Sequence, residues 1–148
     1  MSSPIHLDAN VFVCAAGREH PLRESSKRVL ALVNDNAEFF TDAEVFQEIL
    51  HRYMLLRTWE EMRPWFSSLV ALMTGRTEPM IVEDVVRASE LATAYRSLSA
   101  RDLVHIAIME RVGSRHIVTA DRGFDVIRGV TRLDPLRVDE WRSLVSGN

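Results

Sequence analysis

A single cysteine, Cys14, leaves no partner for an intrachain disulfide and fits a reducing compartment, so a cytoplasmic location is expected. No stretch approaches the roughly 18 consecutive apolar residues of a membrane span. Met1-Ser2-Ser3-Pro4 carries no basic segment leading into an apolar one, so neither a membrane partner nor a signal peptide is expected. Internal repeats, low-complexity tracts and Pro/Gly/Ser-rich linkers are missing too, and residues 1–148 read as one domain long enough to bury a core. Also absent is a basic surplus, the usual footprint of a nucleic-acid binder, since the net charge is −3. That figure decides little: setting Asp8, Glu48, Asp102 and Asp121 aside as metal ligands takes four negative charges from it and leaves +1 on the remainder. Charge therefore neither excludes nor indicates an anionic substrate. The 47% hydrophobic and 26% charged content is that of an ordinary globular protein.

The informative stretches are short apolar runs that end in an acid. Ile117-Val118-Thr119-Ala120-Asp121 runs straight into the turn Arg122-Gly123-Phe124-Asp125, and Ile5-His6-Leu7-Asp8 precedes Ala9-Asn10. Such runs, closed by turn chemistry, read as buried strands. In open α/β sheets ligands bind outside the carboxyl ends of the strands, so two strands ending in Asp aim two carboxylates at one place. Between them the pattern alternates. Val11 to Ala16 reads as a short helical turn, and Leu22 to Val33 as an amphipathic helix with Leu22, Val29, Leu32 and Val33 inward. Glu38 to Thr41 is a strand, followed by a helix from Ala43 to about Arg57. Either Thr41 or Asp42 caps that helix, and Glu44 completes a capping box if Thr41 does. Trp59, Met62, Phe66, Leu69 and Met73 recur at helical spacing over Thr58 to Thr74. A strand at Met80-Ile81-Val82, a helix over Glu83 to Tyr95, and a capping-box helix from Ser99-Ala100-Arg101-Asp102 to about Val112 come next. A weak strand at Thr131-Arg132-Leu133 and a helix around Val138 to Val145 close the chain. Strands alternating with helices predict an α/β fold with a mostly parallel central sheet.

Each acid has an ordinary alternative. Asp102 is as readily a helix cap as a ligand, and Asp121 and Asp125 are as readily turn formers. Glu48, taken alone, is a solvated helix charge, although its i,i+4 neighbour Glu44 is mildly destabilising unless something offsets the repulsion. Asp8, following a buried strand, has no evident capping task. Carboxylates gathered together cannot all stay ionised without a cation, and an oxygen-only set suits Mg²⁺ or Mn²⁺ rather than structural zinc.

Four segments in order resemble the motif regions of PIN domains, and more narrowly of the VapC-type toxins of bacterial toxin–antitoxin pairs. They are Asp8-Ala9-Asn10 after a strand; Glu48 within Ala43 to Tyr53; Ser99-Ala100-Arg101-Asp102-Leu103-Val104-His105; and Thr119 to Asp125. The resemblance runs from about Ile5 to Leu133. It implies a three-layer α/β/α sandwich around a parallel sheet and a Mg²⁺- or Mn²⁺-dependent ribonuclease. Its acidic positions fall on Asp8, Glu48, Asp102 and Asp121, its polar supporting positions on Asn10 and Thr119, and an acid present in some members on Asp125. Two departures are visible: Ala9 where Thr is usual, and Asp42 where Ser is usual before the second helix. Neither removes a ligand, though Asp42 alters the local charge.

The chemistry implied is in-line hydrolysis of a phosphodiester by metal-activated water, leaving 5′-phosphate and 3′-hydroxyl ends. Asp8, Asp102 and Asp121 would be direct ligands and Glu48 a ligand through water or the holder of the nucleophilic water, with Asn10 and Thr119 orienting them. Arg101 and Arg122 flank two of the acids and would meet substrate phosphate or simply pair within the protein. His105 follows Asp102 by three residues and His51 follows Glu48 by three, the spacing of di-iron bundles. A carboxylate-bridged iron protein is a poor rival, because such bundles need four long helices and two of these acids end strands. Both histidines are expected to be structural or to line the edge of the site. A haloacid-dehalogenase type phosphatase needs a second Asp where Asn10 stands, and a non-catalytic binding module would be favoured by a lost acid, whereas none is lost. A housekeeping RNA-processing nuclease is the remaining alternative.

The segment from Tyr53 to Met73 is rich in Trp, Met, Leu and Phe, and Trp65 and Leu72 fall partly off the main stripe. That second apolar face is either core or a protein interface. The resemblance implies an antitoxin wrapping the helical surface and a homodimer.

Overall fold

A computed structural model describes residues 3–146; Met1, Ser2, Gly147 and Asn148, including the first half of the segment read for a leader, lie outside the described residues. Three strands carry the front of the chain: β1 (Ile5–Leu7), β2 (Phe39–Asp42) and β3 (Thr77–Glu78). Two more, β4 (His116–Val118) and β5 (Thr131–Leu133), follow. They form one sheet in the order β3-β2-β1-β4-β5, with every pairing parallel. The helices are α1 (Ala9–Ala15), α2 (Pro21–Asp35), α3 (Ala43–Leu55), α4 (Trp59–Leu72), α5 (Val82–Ala94) and α6 (Ala100–Val112), then the short α7 (Val138–Trp141) and α8 (Ser143–Ser146).

Side chains alternate across a strand, so neighbours serve opposite faces. Phe39 and Val118 join a core with residues of α1 to α4, while their neighbours Phe40 and Ile117 join a second core under α5 and α6. The expected three-layer α/β/α sandwich is therefore present. His6 belongs to the α6 side: its ring meets Phe40 edge-on at 5.3 Å and lies 5.4 Å from the His105 ring.

Several local expectations need correcting. Asp8 does cap a helix: α1 begins at Ala9, two residues before the expected turn, and Asp8 Oδ1 accepts the Ala9 N–H at 2.8 Å. Asp42, not Thr41, caps α3, accepting the Val45 N–H at 2.9 Å, so the Glu44 capping box does not form. Thr41 instead donates its hydroxyl to the Leu7 carbonyl. Met80-Ile81-Val82 is not a strand. The edge strand lies upstream, where Thr77 and Glu78 pair with Thr41 and Asp42, and Pro79, lacking an N–H, cannot extend the ladder. Asp84 accepts the Ile81 N–H at 3.0 Å and pairs with Arg111 at 2.9 Å, which turns the apolar run into the start of α5, with Val82 73% exposed. Trp65 and Leu72 pack against the core, and the Trp65 indole donates to the Phe12 carbonyl. The exposed apolar group nearby is Met54, Leu55 and Leu56, at the end of α3.

Candidate active site at the carboxyl edge of the sheet

The register pairs Leu7 with Val118, and the Asp8 N–H continues the ladder to the Val118 carbonyl. Asp8 and Thr119 thus leave adjacent strands side by side. The buried Thr119 hydroxyl donates to Asp8 Oδ2 at 2.8 Å and accepts from Asn10 Nδ2 at 2.8 Å and from the Asp121 N–H at 3.0 Å. Asn10 Nδ2 also reaches Asp8 Oδ2 at 3.3 Å, and its Oδ1 accepts the Ala120 N–H at 3.1 Å. Together these bonds use the full capacity of the hydroxyl and fix the start of α1 to the loop after β4.

Helices supply the other acids. Glu48 projects from the middle of α3, and Arg101 stands between it and Glu44: the guanidinium Nε donates to Glu44 Oε1 at 3.2 Å and lies 3.8 Å from Glu48 Oε1. The repulsion expected between Glu44 and Glu48 is offset by that cation. Asp102 closes the capping box that opens α6, its N–H bonded to Ser99 Oγ at 3.1 Å and its Oδ2 accepting the Ser99 N–H at 3.3 Å. Asp121 Oδ1 accepts the Gly123 N–H at 2.8 Å, capping a short 3-10 turn.

Asp8, Asn10, Glu48, Arg101, Asp102 and Asp121 line a single cleft of about 380 Å³. Asp8 and Glu48 of this cleft and the buried His105 behind them bring one ligand-type atom each within 4.8 Å of one another; among the described residues that group does not extend to Asp102 or Asp121. His51 and Cys14 also line the cleft. Burial pushes the Cys14 thiol up, more than nearby Arg52 pulls it down. Two predicted residues stand elsewhere. Arg122 lines a separate hollow with Arg132, Arg137 and Glu140. Asp125 does not line the cleft and is held by Arg132 at 2.8 Å.

Sequence reasoning missed the structure beneath the site. Asp42, His6 and His105 are fully buried. Asp42 Oδ2 accepts from His6 Nε2 at 2.8 Å and from His105 Nδ1 at 2.7 Å, while His105 Nε2 lies 3.3 Å from Glu48 Oε1. Burial opposes charge on both partners, yet the His105 and His6 bonds hold the Asp42 carboxyl well below the usual carboxylate range. Burial likewise pulls His105 down, but its bonds to Asp42 and Glu48 and the charges of Asp42 and Asp8 outweigh that, and it is pushed up to about 10. A signal was available: His6 lies two residues before Asp8, on the same side of the strand, and a histidine inside a buried strand needs a polar partner.

A parallel sheet with carboxylates from two strand ends and two helices gathered at its carboxyl edge defines a class of acid-clustered α/β proteins, and residues 5–130 match the PIN domain. The chain belongs to the PIN-domain family. Its relatives there are VapC proteins: Ribonuclease VapC13 of Mycobacterium tuberculosis is 34% identical over 130 residues, covering 87% of this chain and 98% of that protein. Solved structures share the fold. FitAcB from Neisseria gonorrhoeae has a TM-score of 0.73 at 18% identity, over 90% of this chain and 99% of that one. VapBC2 from Rickettsia felis, bound to a promoter DNA fragment, has a TM-score of 0.71 at 15% identity, over 88% and 97%.

Proposed function

We propose that this protein is a Mg²⁺- or Mn²⁺-dependent endoribonuclease and the toxin of a VapBC-type toxin–antitoxin pair. The observation that carries the proposal is the convergence of Asp8, Glu48, Asp102 and Asp121 on one cleft, with Asp8 braced by Thr119 and Asn10. The donor set fits a hard divalent ion, because the four acids that line the cleft all offer carboxylate oxygens. Asp8, Asp102 and Asp121 would hold the ion, with Glu48 reaching it directly or through water. When bound, such an ion polarises the phosphate and makes water a stronger nucleophile.

The chain's own groups do the rest. Glu48, with Oε1 facing His105, keeps Oε2 for a water and its departing proton. Arg101 lines the same cleft as the acids and offers a guanidinium to a phosphate oxygen. Water attacks phosphorus as the bond to the 3′-oxygen breaks, giving 5′-phosphate and 3′-hydroxyl ends. VapC13 is a ribonuclease, which supports RNA over DNA as substrate. The exposed Met54, Leu55 and Leu56, with Leu55 at the rim of the cleft, offer the apolar surface an antitoxin needs. A homodimer belongs to the same proposal, and a monomeric elution volume over a wide concentration range would count against it. No helix among the described residues is long and apolar enough to cross a membrane.

The test compares Asp8→Asn with wild type on labelled RNA in Mg²⁺, Mn²⁺ and chelator. Cleavage is expected only from wild type with metal. Equal cleavage by both proteins, cleavage that survives chelation, or 2′,3′-cyclic phosphate ends would overturn the mechanism.

A further inference from the structure

Glu48 is reached from inside the protein by side chains that touch no solvent. His105 is fully buried and both its ring nitrogens face carboxylate oxygens, Nδ1 toward Asp42 at 2.7 Å and Nε2 toward Glu48 at 3.3 Å. A carboxylate only accepts, so each nitrogen that serves its oxygen does so as a donor. The two ends are not equal. Asp42 is pinned by three donors, the Val45 N–H, His6 Nε2 and His105 Nδ1, and it is the N-cap of α3, the helix that carries Glu48. His6 is itself wedged against Phe40 and the His105 ring. The His105 ring is therefore anchored at Asp42, and Glu48, 27% exposed on its side chain, is the movable end. A glutamate on a helix surface has three rotatable bonds, and a fixed buried donor selects among its rotamers.

We propose that His105, anchored on Asp42, is a positioning residue that holds Glu48 Oε1 and aims the remaining oxygen of Glu48 into the cleft. The proposal rests on the metal-dependent cleavage set out above and adds residues that touch neither ion nor RNA. It gives a role to Asp42, the departure from the usual Ser: a carboxylate rather than a hydroxyl at this N-cap binds two imidazole donors as well as the helix N–H.

Two substitutions separate positioning from mere packing. In His105→Asn the side-chain amide takes the place of Nδ1, keeping the donor to Asp42 and losing the one to Glu48. In His105→Gln the amide takes the place of Nε2, keeping the donor to Glu48 and losing the anchor. Full-length wild type and both variants are compared by Mn²⁺ binding without RNA, read as free Mn²⁺ by electron paramagnetic resonance, and by kcat and KM on labelled RNA. His105→Asn is expected to weaken Mn²⁺ binding or kcat about 10- to 100-fold, the usual effect of losing a group that orients a ligand, with KM for RNA little changed. His105→Gln is expected to retain more of both and to melt at lower temperature. Wild-type Mn²⁺ affinity and kcat in His105→Asn would overturn the proposal. Asp8→Asn in parallel keeps the two levels apart. If it is inactive while His105→Asn is normal, only the role of His105 fails; if Asp8→Asn is fully active, the cleavage mechanism fails. Should His105→Asn not fold, nitrogen NMR of histidine-labelled wild type and Glu48→Gln decides: the His105 Nε2 signal is expected to move while Nδ1 stays, and an unmoved Nε2 overturns the proposal.

Discussion

Thr119 Oγ1 donates to Asp8 Oδ2 across 2.8 Å, although 111 residues separate the two in the chain. The bond exists because β1 and β4 are parallel neighbours in a register that ends both strands at the same level. It makes Thr119 more than a small residue before a turn. Replacing Thr119 with Val keeps the shape, removes the donor to Asp8, leaves the Asp121 N–H without that acceptor and leaves Asn10 Nδ2 only its longer bond to Asp8 Oδ2. Cleavage and Mn²⁺ affinity are expected to fall about 10- to 100-fold, with roughly 1–3 kcal/mol lost from stability for the orphaned groups. Thr119→Ser keeps the hydroxyl and should recover most of the activity. A Val variant as active as wild type would show that Asp8 needs no such brace.

What the sequence disclosed and what it hid divide along physical lines. Acids at strand ends were legible because a parallel sheet has one carboxyl edge, so Asp8 and Asp121 had to face it, and both line the cleft there; the capping-box pattern likewise placed Asp102 at the start of α6. Met80-Ile81-Val82 misled because an apolar run of three suits a strand or a first helical turn equally. The tie was broken by Asp84 and Arg111, a partnership 27 residues long that periodicity cannot see. Asp42 was legible as a cap and as an oddity, but its two imidazole partners come from β1 and α6, and only the fold brings them together. The Trp65 and Leu72 face stayed ambiguous because spacing tells which residues share a side of a helix, not what covers it.

The buried pair should give stability a definite pH profile. His105 is pushed up from an ordinary 6.5 to about 10, so its contribution is complete below pH 6.5 and drains away as pH rises toward 10. Asp42 is held below its ordinary 3.8, so its contribution is present above pH 3.8 and is lost as pH falls beneath it. For this pair, with Glu48 and Asp8 adding to the hold on His105, stability is greatest between pH 3.8 and 6.5. Urea midpoints measured at intervals from pH 6.5 to 10 should decline, and His105→Asn should flatten that decline. An unchanged slope in the variant would place the titration elsewhere.

Asp125 tests how far the acidic site extends. Its carboxylate is 52% exposed and held by Arg132, which also donates to the Thr119 carbonyl at 3.2 Å. Asp125→Asn should therefore leave cleavage within a few-fold of wild type and shift stability by less than about 1 kcal/mol, as for other exposed ion pairs. A loss of activity comparable to that of Asp8→Asn would instead make Asp125 a fifth acid of the site, reached by a movement of the turn after β4.

The end of α3 separates cleavage from partnership. Met54 and Leu56 are 60% and 56% exposed, and neither lines the acidic cleft, whereas Leu55 between them does. Exposed apolar side chains in a cluster mark a surface made for a partner, and a charge placed in the middle of such a surface must be desolvated when the partner binds. Met54→Glu combined with Leu56→Glu should therefore leave cleavage by the isolated protein unchanged and keep the melting temperature near wild type, since both positions are already in water. Binding to the proposed antitoxin should fall at least about 100-fold, an effect of roughly 3 kcal/mol and within the range of interface hot spots. Titration calorimetry with the purified partner measures it, and inhibition of cleavage by the partner should weaken in parallel. Full binding by the double variant would move the interface away from α3, and lost cleavage with binding intact would mean that Met54 and Leu56 serve the RNA instead.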